Sequence, residues 1–291
     1  MKKQGVAVLA LSLAIFSQPS LFAAEIKVQK TTHDLSKEAF DEVLWKDVKS
    51  ENVSLMAQPM AIPRPKTTNT SALQVQSLQD GKWIAFRLKW HADQKAEAGK
   101  LGEFSDAVAI QFPVKEGSPP PIFMGAKDNP VHIFHWRAQY QRDLEKGKPE
   151  MKDLYPNMNP DMYPMEFKDP GHAKGLTEEK REVYSPGKAE GNPQSYTKAS
   201  AVDEIFAEGF GSSSVIENRA AIGKGTWNKG EWSVVIARPL KRENGSVLDP
   251  TKDSFVAFAV WQGAKQEVGA RKCVTMAWVP LQMNSSGGNQ K

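Results

Sequence analysis

The sequence predicts an all-β fold, an antiparallel two-sheet β-sandwich of the immunoglobulin-like or carbohydrate-module-like type, with long loop insertions and few short helices. Two observations support this prediction: apolar residues alternate with polar ones along several short segments, and helix signals are few and short. In residues 83–90, for example, Ile84, Phe86, Leu88 and Trp90 share one face, which is typical of a half-buried antiparallel strand. The predicted strands are 72–78, 83–90, 107–114, 131–138, 232–237, 255–261 and 273–281.

Local signals place three individual elements. Asp80-Gly81 lies between two predicted strands and is a strong hairpin signal. Asp34 stands where a helix cap would, so residues 35–43 are predicted to form one short helix. Residues 255–261 are apolar on both faces, which predicts a central strand.

The N-terminal residues have the pattern of a secretory signal peptide, predicted to cover residues 1–24. Two lysines precede an apolar run over residues 6–16, and small residues follow at Ala23-Ala24. The run is shorter than the roughly 20 apolar residues that span a bilayer, and a buried N-terminal helix is the alternative interpretation. The sequence therefore predicts export to the periplasm, with no transmembrane segment in the mature chain.

The composition argues against several classes of function. Removal of the signal peptide takes two lysines and lowers the formal net charge from +4 to about +2, which is too balanced to predict binding to nucleic acid or an anionic membrane. Cys273 is the one cysteine of the chain, which excludes an internal disulfide, a Cys-x-x-Cys-His haem attachment site and an all-cysteine iron–sulfur cluster. The exported chain must therefore be held together by its core.

Residues 25–283 are predicted to form a single domain with an insertion at about 141–200. The insertion lacks periodicity and is rich in Pro, Gly, Lys and Glu. It is either a long solvated loop or a partner-binding segment, since long structureless insertions in compact domains are often functional. Residues 284–291 have the composition of a disordered tail.

No catalytic site is predicted. Gly-rich phosphate loops, Gly-x-Ser-x-Gly and His-Glu-x-x-His are all missing from the sequence. His132 and His135 lie three residues apart on a predicted strand, so they point to opposite faces and cannot bind one metal ion.

Two residues have the chemistry of haem-iron ligands, although each has a simpler interpretation. Met124 follows three prolines and precedes a glycine, so a stiffened loop presents a soft thioether, but most loop methionines are packing residues. Lys272 begins the predicted apolar face formed with Val274, Met276 and Trp278. A buried lysine can be neutral and bind iron, whereas a lysine at the rim of a core extends its amine into solvent.

The positions of these residues suggest where a cofactor could lie. Both follow predicted strands, 107–114 and 255–261. If these strands are parallel in space, both loops emerge at one end of the sandwich, and a flat cofactor can lie between the sheets there. Lys265 is a second lysine candidate, but its Gln-Gly-Ala-Lys-Gln-Glu context is typical of a solvated turn.

Two blocks of sequence carry a family resemblance. The first is Met124-Gly125 followed by Pro-Val-His-Ile-Phe-His-Trp-Arg-Ala at 130–138. The second is Ala-Phe-Ala-Val-Trp-Gln-Gly at 257–263, followed by Lys272 and the segment 278–281. Together they resemble the ethylbenzene dehydrogenase gamma-subunit family, over roughly residues 40–283. The same type of haem b subunit serves dimethyl sulfide dehydrogenase, selenate reductase, chlorate reductase and nitrite oxidoreductase.

The resemblance implies a β-sandwich with one non-covalent haem b, whose axial ligands are Met124 and Lys272. It implies a non-catalytic electron-transfer subunit in a periplasmic complex with a molybdenum catalytic subunit and an iron–sulfur subunit, and a soluble or membrane cytochrome as redox partner. The long insertion is most similar to nitrite-oxidoreductase-type subunits. Two alternatives stay open: a carbohydrate-binding β-sandwich module, which would expose tryptophans, and a stand-alone periplasmic haem carrier.

Overall fold

The structure, a computed structural model, describes residues 24–157, 187, 190, 198–217, 219–243 and 245–283. The predicted tail and most of the predicted signal peptide and insertion lie outside these residues. Within them, two β-sheets pack face to face. The first sheet has nine described strands: β1 (Ile26–Lys27), β4 (Met56–Ala57), β7 (Ala107–Pro113), β8 (Val131–Arg137), β9 (Val202–Ala207), β10 (Ser214–Val215), β13 (Ser254–Trp261), β14 (Cys273–Val274) and β15 (Val279–Gln282).

The second sheet has six described strands and closes the sandwich from the other side. They are β2 (Gln29–Lys30), β3 (Glu51–Ser54), β5 (Ala72–Gln79), β6 (Trp83–His91), β11 (Ile222–Asn228) and β12 (Glu231–Pro239). The sandwich prediction is confirmed, but the sheets are not purely antiparallel. β1 runs parallel to β15, and β2 runs parallel to β5. Both exceptions come from one short N-terminal segment that pairs first with one sheet and then with the other.

The core lies between the sheets and follows the alternation of the sequence. Ile84, Phe86, Leu88 and Trp90 of β6 face it, as predicted. From the first sheet, the same core receives the alternate residues of three adjacent strands: Val108, Ile110 and Phe112 of β7, Phe134 and Trp136 of β8, and Val256, Phe258 and Val260 of β13. The central position predicted for residues 255–261 is confirmed, because β13 pairs with β7 on one side and with β14 and β15 on the other.

The predicted helix over residues 35–43 is replaced by two shorter helices. α1 spans Leu35–Glu38, and a 3-10 helix spans Glu42–Trp45. Asp34 caps the first by accepting a hydrogen bond from the Ser36 N–H, and Asp41 caps the second in the same way through Val43. A second capping aspartate within the predicted helix starts a new helix there, which explains the break. Both helices cover the outer surface of the second sheet.

The predicted strand over residues 273–281 is also broken in two. β14 ends at Val274, and β15 starts at Val279. Between them, the Thr275 side chain accepts a hydrogen bond from the backbone N–H of Phe258 at 3.1 Å, in place of a regular ladder contact. The predicted common face therefore ends early, and Met276 is exposed rather than inward.

Seven of the described strands, β1 to β4 and β9 to β11, were not predicted from the sequence. The strand β11 lacks apolar alternation because its glycines lie against the core: a Cβ at Gly225 would lie 2.5 Å from the Trp136 side chain. Two helices were not predicted either: α2 (Ala138–Lys146), which extends into the predicted insertion, and the short helix α3 (Met151–Leu154). Gln141 of α2 accepts a hydrogen bond from the indole of Trp136 at 3.1 Å, so this part of the insertion belongs to the folded body.

Among the described residues, no helix has the length and apolar character needed to cross a membrane.

Candidate cofactor site on the outer surface of the first sheet

The outer surface of the first sheet, the one turned away from the core, has a floor of small residues. β7 and β13 are antiparallel, and their register places Ala109 opposite Ala259 and Ala257 opposite Gln111. These side chains alternate with the core-facing ones and therefore point outward. Ala109, Ala257 and Ala259, which we call the alanine floor, leave room above the sheet at this point.

The condition that strands 107–114 and 255–261 run in the same direction is not met, so the reason for expecting a cofactor between the sheets is lost. The two strands run in opposite directions, and the space between the sheets is filled by aromatic rings. Phe86 contacts Phe112 at 5.8 Å and Phe258 at 6.5 Å between ring centroids. The open cavity lies instead on the outer surface, over the alanine floor. Met124 and Lys272 still line this same cavity, because each reaches the outer surface from its own loop.

Met124 reaches the cavity from a loop that is fixed at several points. Gln111 donates a side-chain hydrogen bond to the Ile122 carbonyl at 2.8 Å, and Trp278 donates its indole N–H to the Pro120 carbonyl at 2.7 Å. The carbonyl of Met124 itself accepts a hydrogen bond from the Gly209 N–H at 2.8 Å. Met124 and Gly125 both have positive φ, 65° and 71°, which turns the chain back toward the sheet.

Lys272 reaches the same cavity from a different loop, directly before β14. The Gln58 N–H donates a hydrogen bond to the Lys272 carbonyl at 2.9 Å, which fixes the backbone at this point. The Lys272 Nζ lies 4.7 Å from the centroid of the Trp261 ring. Met124, Lys272 and Trp261 thus line one cavity, together with the alanine floor.

The environment of Lys272 favours the neutral amine. Burial lowers the pKa of Lys272 from its ordinary value of 10.5 to about 8. Within the described part of the chain, no carboxylate lies within ion-pair distance of the amine. Lys265, the second candidate, instead forms an ion pair with Asp93 at 3.2 Å on the surface. The structure therefore places Lys272, and not Lys265, in the cavity.

A second cavity adjoins the first and shares the Trp261 side chain with it. His135 and Arg137, two residues apart on β8, line this second cavity. The sequence predicts that the two histidines of β8 lie on opposite faces, and this is confirmed. His135 stacks on Trp261 at 4.6 Å on the outer surface, whereas His132 is buried in the interior, 3.1 Å from the Ser246 hydroxyl.

The neighbourhood of His135 and Arg137 was not predicted to be functional. Nothing in the sequence distinguishes them from packing residues. What distinguishes them is that each has a buried nitrogen without a hydrogen-bond partner among the described residues, and only the three-dimensional structure shows this. In the residues that the structure describes, no cluster of three or more His, Cys, Asp or Glu side chains could hold a metal ion.

Comparison with known proteins places the chain in a family. The sequence pattern described as ethylbenzene dehydrogenase matches residues 42–273. The chain belongs to the ethylbenzene dehydrogenase family. The match includes Met124 and Lys272 and all strands of the alanine floor.

Two relatives of the chain have names that describe a function. A protein of Haloferax mediterranei named as a respiratory nitrate reductase heme subunit is 26% identical over 257 residues, which cover 87% of this chain and 71% of the relative. The chlorate reductase subunit gamma of Ideonella dechloratans is 25% identical over 243 residues, which cover 82% of this chain and 76% of the relative.

Similar solved structures are carbohydrate-binding β-sandwiches. A family 9 carbohydrate-binding module from Caldicellulosiruptor kristjanssonii has a TM-score of 0.41 and 9% identity, covering 91% of this chain and 99% of the module. A carbohydrate-binding protein from Bacteroides uniformis has the same TM-score and identity, with 89% and 98% covered. At these values the likeness carries no inference about ligands.

The residues of the outer cavity have the chemistry to hold a haem. A thioether and an amine with a lowered pKa are both soft or neutral donors that a haem iron accepts. They reach one cavity from two separate loops, and the alanine floor lines the same cavity. In a haem-bound form, Met124 and Lys272 would hold the iron and the alanines would pack against the macrocycle.

Proposed function

We propose that the chain is a haem b-binding electron-transfer subunit of an oxidoreductase complex. The observation that supports this most strongly is the meeting of Met124 and Lys272 in one apolar cavity, from loops 148 positions apart in the sequence. Family membership gives independent support, because two relatives are named as a heme subunit and as a gamma subunit of reductases.

Met124 and Lys272 are proposed as the two axial ligands of one haem. The bound haem would supply one-electron redox chemistry, with a potential raised by thioether ligation. Lys272 provides a neutral amine at little cost because burial lowers its pKa to about 8. Since both axial positions are taken, no position is left for a substrate, so this chain is proposed to be non-catalytic.

The proposed partners follow from the family. A subunit of this kind would receive or deliver electrons between an iron–sulfur subunit, beside a molybdenum catalytic subunit, and a soluble or membrane cytochrome. The predicted signal peptide would place this complex in the periplasm. The names of the relatives support assembly with a reductase.

The carbohydrate-binding alternative makes a prediction that the structure does not meet. Such a module would present exposed tryptophan rings to sugars. All eight tryptophans of this chain are among the described residues, and each is buried or only partly exposed. The most accessible of them also carry structural contacts, such as the hydrogen bond from Trp278 to Pro120.

An absorption spectrum of the purified mature protein tests the proposal. A Soret band and a pyridine haemochrome of the b type, with one haem per chain, are expected. Because the chain has no Cys-x-x-Cys-His site, acid–acetone should extract the haem completely. Absence of a Soret band after reconstitution, or colour that stays with the polypeptide, would contradict the proposal.

A further inference from the structure

Two polar side chains beside the cofactor cavity have buried nitrogens that lack partners. Nε2 of His135 and Nε of Arg137 are both buried, and neither has a hydrogen-bond partner among the described residues. Both side chains line the second cavity. A buried donor without an acceptor is costly in a folded protein, so two of them in one cavity point to a missing ligand.

The local geometry identifies these nitrogens as donors. Arg137 Nη2 lies 3.5 Å from Nδ1 of His135, so Nδ1 accepts and the imidazole proton is on Nε2. Burial, and the nearby charges of Arg137 and Lys272, keep the pKa of His135 well below its ordinary value, so the ring is a neutral donor. The two side chains that line the cavity thus carry one imidazole N–H and one guanidinium N–H without acceptors among the described residues.

The charges around these donors favour an anion. Asp203 lies opposite His135 in β9, and it already pairs with Lys198 at 3.3 Å and Arg219 at 3.0 Å. Arg137 is a further cation, and no described carboxylate lies within ion-pair distance of it. Its contact with the Tyr140 ring, at 4.9 Å, supplies no countercharge.

Two carboxylates also line the second cavity, but other groups hold them. Glu103 accepts a hydrogen bond from the Lys100 N–H at 3.0 Å. Glu267 is buried and accepts from the Gln262 N–H at 2.8 Å and from the Asn69 side chain at 2.9 Å. Neither one satisfies the two free N–H groups.

The second cavity lies one aromatic ring away from the proposed iron ligand. The Trp261 ring contacts both Lys272 and His135 and is a wall of both cavities. In haem, the carboxylates are carried at the edge of the macrocycle, away from the iron at its centre. Because Trp261 contacts both Lys272 and His135, a ligand held at Lys272 can direct its acidic edge toward His135 and Arg137.

We propose that His135 and Arg137 form a carboxylate site that binds an acidic side group of the tetrapyrrole held by Met124 and Lys272. This inference rests on the proposed function. Both donor nitrogens are covered by protein, so binding requires the side chains around Trp261 to shift. The site would fix which edge of the macrocycle points along β8.

Haem and its dimethyl ester, in which both carboxylates are neutralised, test the site in the full chain. Release of each pigment to apomyoglobin is measured after reconstitution of the haem-free protein. The wild type should release haem about tenfold or more slowly than the ester, since a charged hydrogen-bonded pair is lost in the ester. Arg137→Gln should remove this difference and leave ester release unchanged. His135→Phe, which keeps a ring against Trp261, should reduce the difference.

Arg87→Gln is the matched control, because Arg87 is an arginine of the second sheet that pairs with Glu42. It should keep the full difference between haem and ester. Equal release of the two pigments by the wild type would overturn the inference, as would faster release of both from Arg137→Gln. Binding of inorganic phosphate to the wild type but not to Arg137→Gln, with equal pigment release, would assign the cavity to a free anion. If neither pigment binds, the proposed function itself fails.

Discussion

The Lys272 amine lies 4.7 Å from the centroid of the Trp261 ring, at the edge of the alanine floor. A cation over an indole face is stabilised by the ring, whereas burial favours the neutral amine. Burial dominates here, because the pKa of Lys272 is lowered to about 8. At pH 7, deprotonation of this amine costs about 1.4 kcal/mol, a cost that coordination to iron can offset.

Lys272→Ala should therefore abolish the six-coordinate low-spin haem spectrum, or haem binding altogether. Lys265→Ala is the matched control, since this lysine lies seven positions earlier and pairs with Asp93 at the surface. It should keep the wild-type spectrum and haem content. Absorption and electron paramagnetic resonance spectra of both variants make the comparison. The opposite behaviour of the two variants would show that the ligand assignment is wrong, while the haem-protein proposal would survive.

The lowered pKa of Lys272 also predicts how stability depends on pH in the haem-free protein. Between about pH 8 and 10.5 the unfolded chain holds a proton on this lysine that the folded chain has released. The free energy of unfolding should therefore rise with pH across this window, by up to about 3 kcal/mol from this group. Lys272→Met lacks the titration, so urea unfolding at pH 7.5 and at higher pH should show the wild type gaining stability relative to the variant as pH rises. A stability difference between the two proteins that is constant with pH would refute the prediction.

Met124→Leu should remove the second ligand and leave the fold intact. Leucine preserves the volume and apolar character of methionine, so the free energy of unfolding should change by less than about 1.5 kcal/mol. The haem should lose low-spin character, or its reduction potential should fall, because thioether ligation raises the potential. Met60→Leu, at an exposed position, is the control and should leave both the spectrum and the potential unchanged. A wild-type spectrum in Met124→Leu would exclude the thioether as a ligand.

The predicted insertion is tested by replacing residues 158–197 with a short Gly-Ser linker. The boundaries keep α2 and α3, since Gln141 bonds to Trp136 and Tyr155 accepts a hydrogen bond from the Leu101 N–H at 2.9 Å. Haem content should remain near one per chain, whereas co-purification with an iron–sulfur subunit should be lost. Thermal unfolding of the variant controls for damage to the sandwich. Normal assembly of the complex would show that the insertion is not the docking segment.

Much of the fold could be predicted from the sequence because the alternation of apolar residues is a local signal. The strand β6 and the turn at Asp80-Gly81 are examples. The Asp80 side chain accepts hydrogen bonds from the backbone N–H groups of Lys82 and Trp83, and Gly81 has a φ of 86°. β11 could not be predicted in this way. Its glycines are required by close packing against Trp136, which lies far away in sequence.

The location of the site could be predicted only in part. Met124 and Lys272, which both line it, were named as candidates, but the relative direction of β7 and β13 depends on a pairing between strands more than a hundred positions apart. The small residues Ala109, Ala257 and Ala259 alternate with core residues along the sequence of their strands. Only the structure shows that their side of the sheet is covered by loops and forms a cavity rather than a solvated surface.

The turn that presents Met124 depends on a glycine with no space for a side chain. A Cβ at Gly125 would lie 2.9 Å from the Asn129 carbonyl oxygen and 3.2 Å from that of Ala207, and its φ of 71° is unfavourable for other residues. These oxygens belong to the backbone and cannot move aside easily. Gly125→Ala should therefore shift the loop, reduce haem occupancy and lower the free energy of unfolding by about 1–3 kcal/mol.

Gly117→Ala provides the control that separates crowding from backbone strain. Gly117 also has a positive φ, 104°, but a Cβ there would meet nothing within 4 Å. It should lose about 1 kcal/mol from the left-handed conformation alone and keep the wild-type haem content. Haem-to-protein ratio and urea unfolding of the two variants give the comparison. If Gly117→Ala lost as much haem as Gly125→Ala, general loop strain would account for the effect, and the close packing of the Met124 turn would not be what positions the thioether.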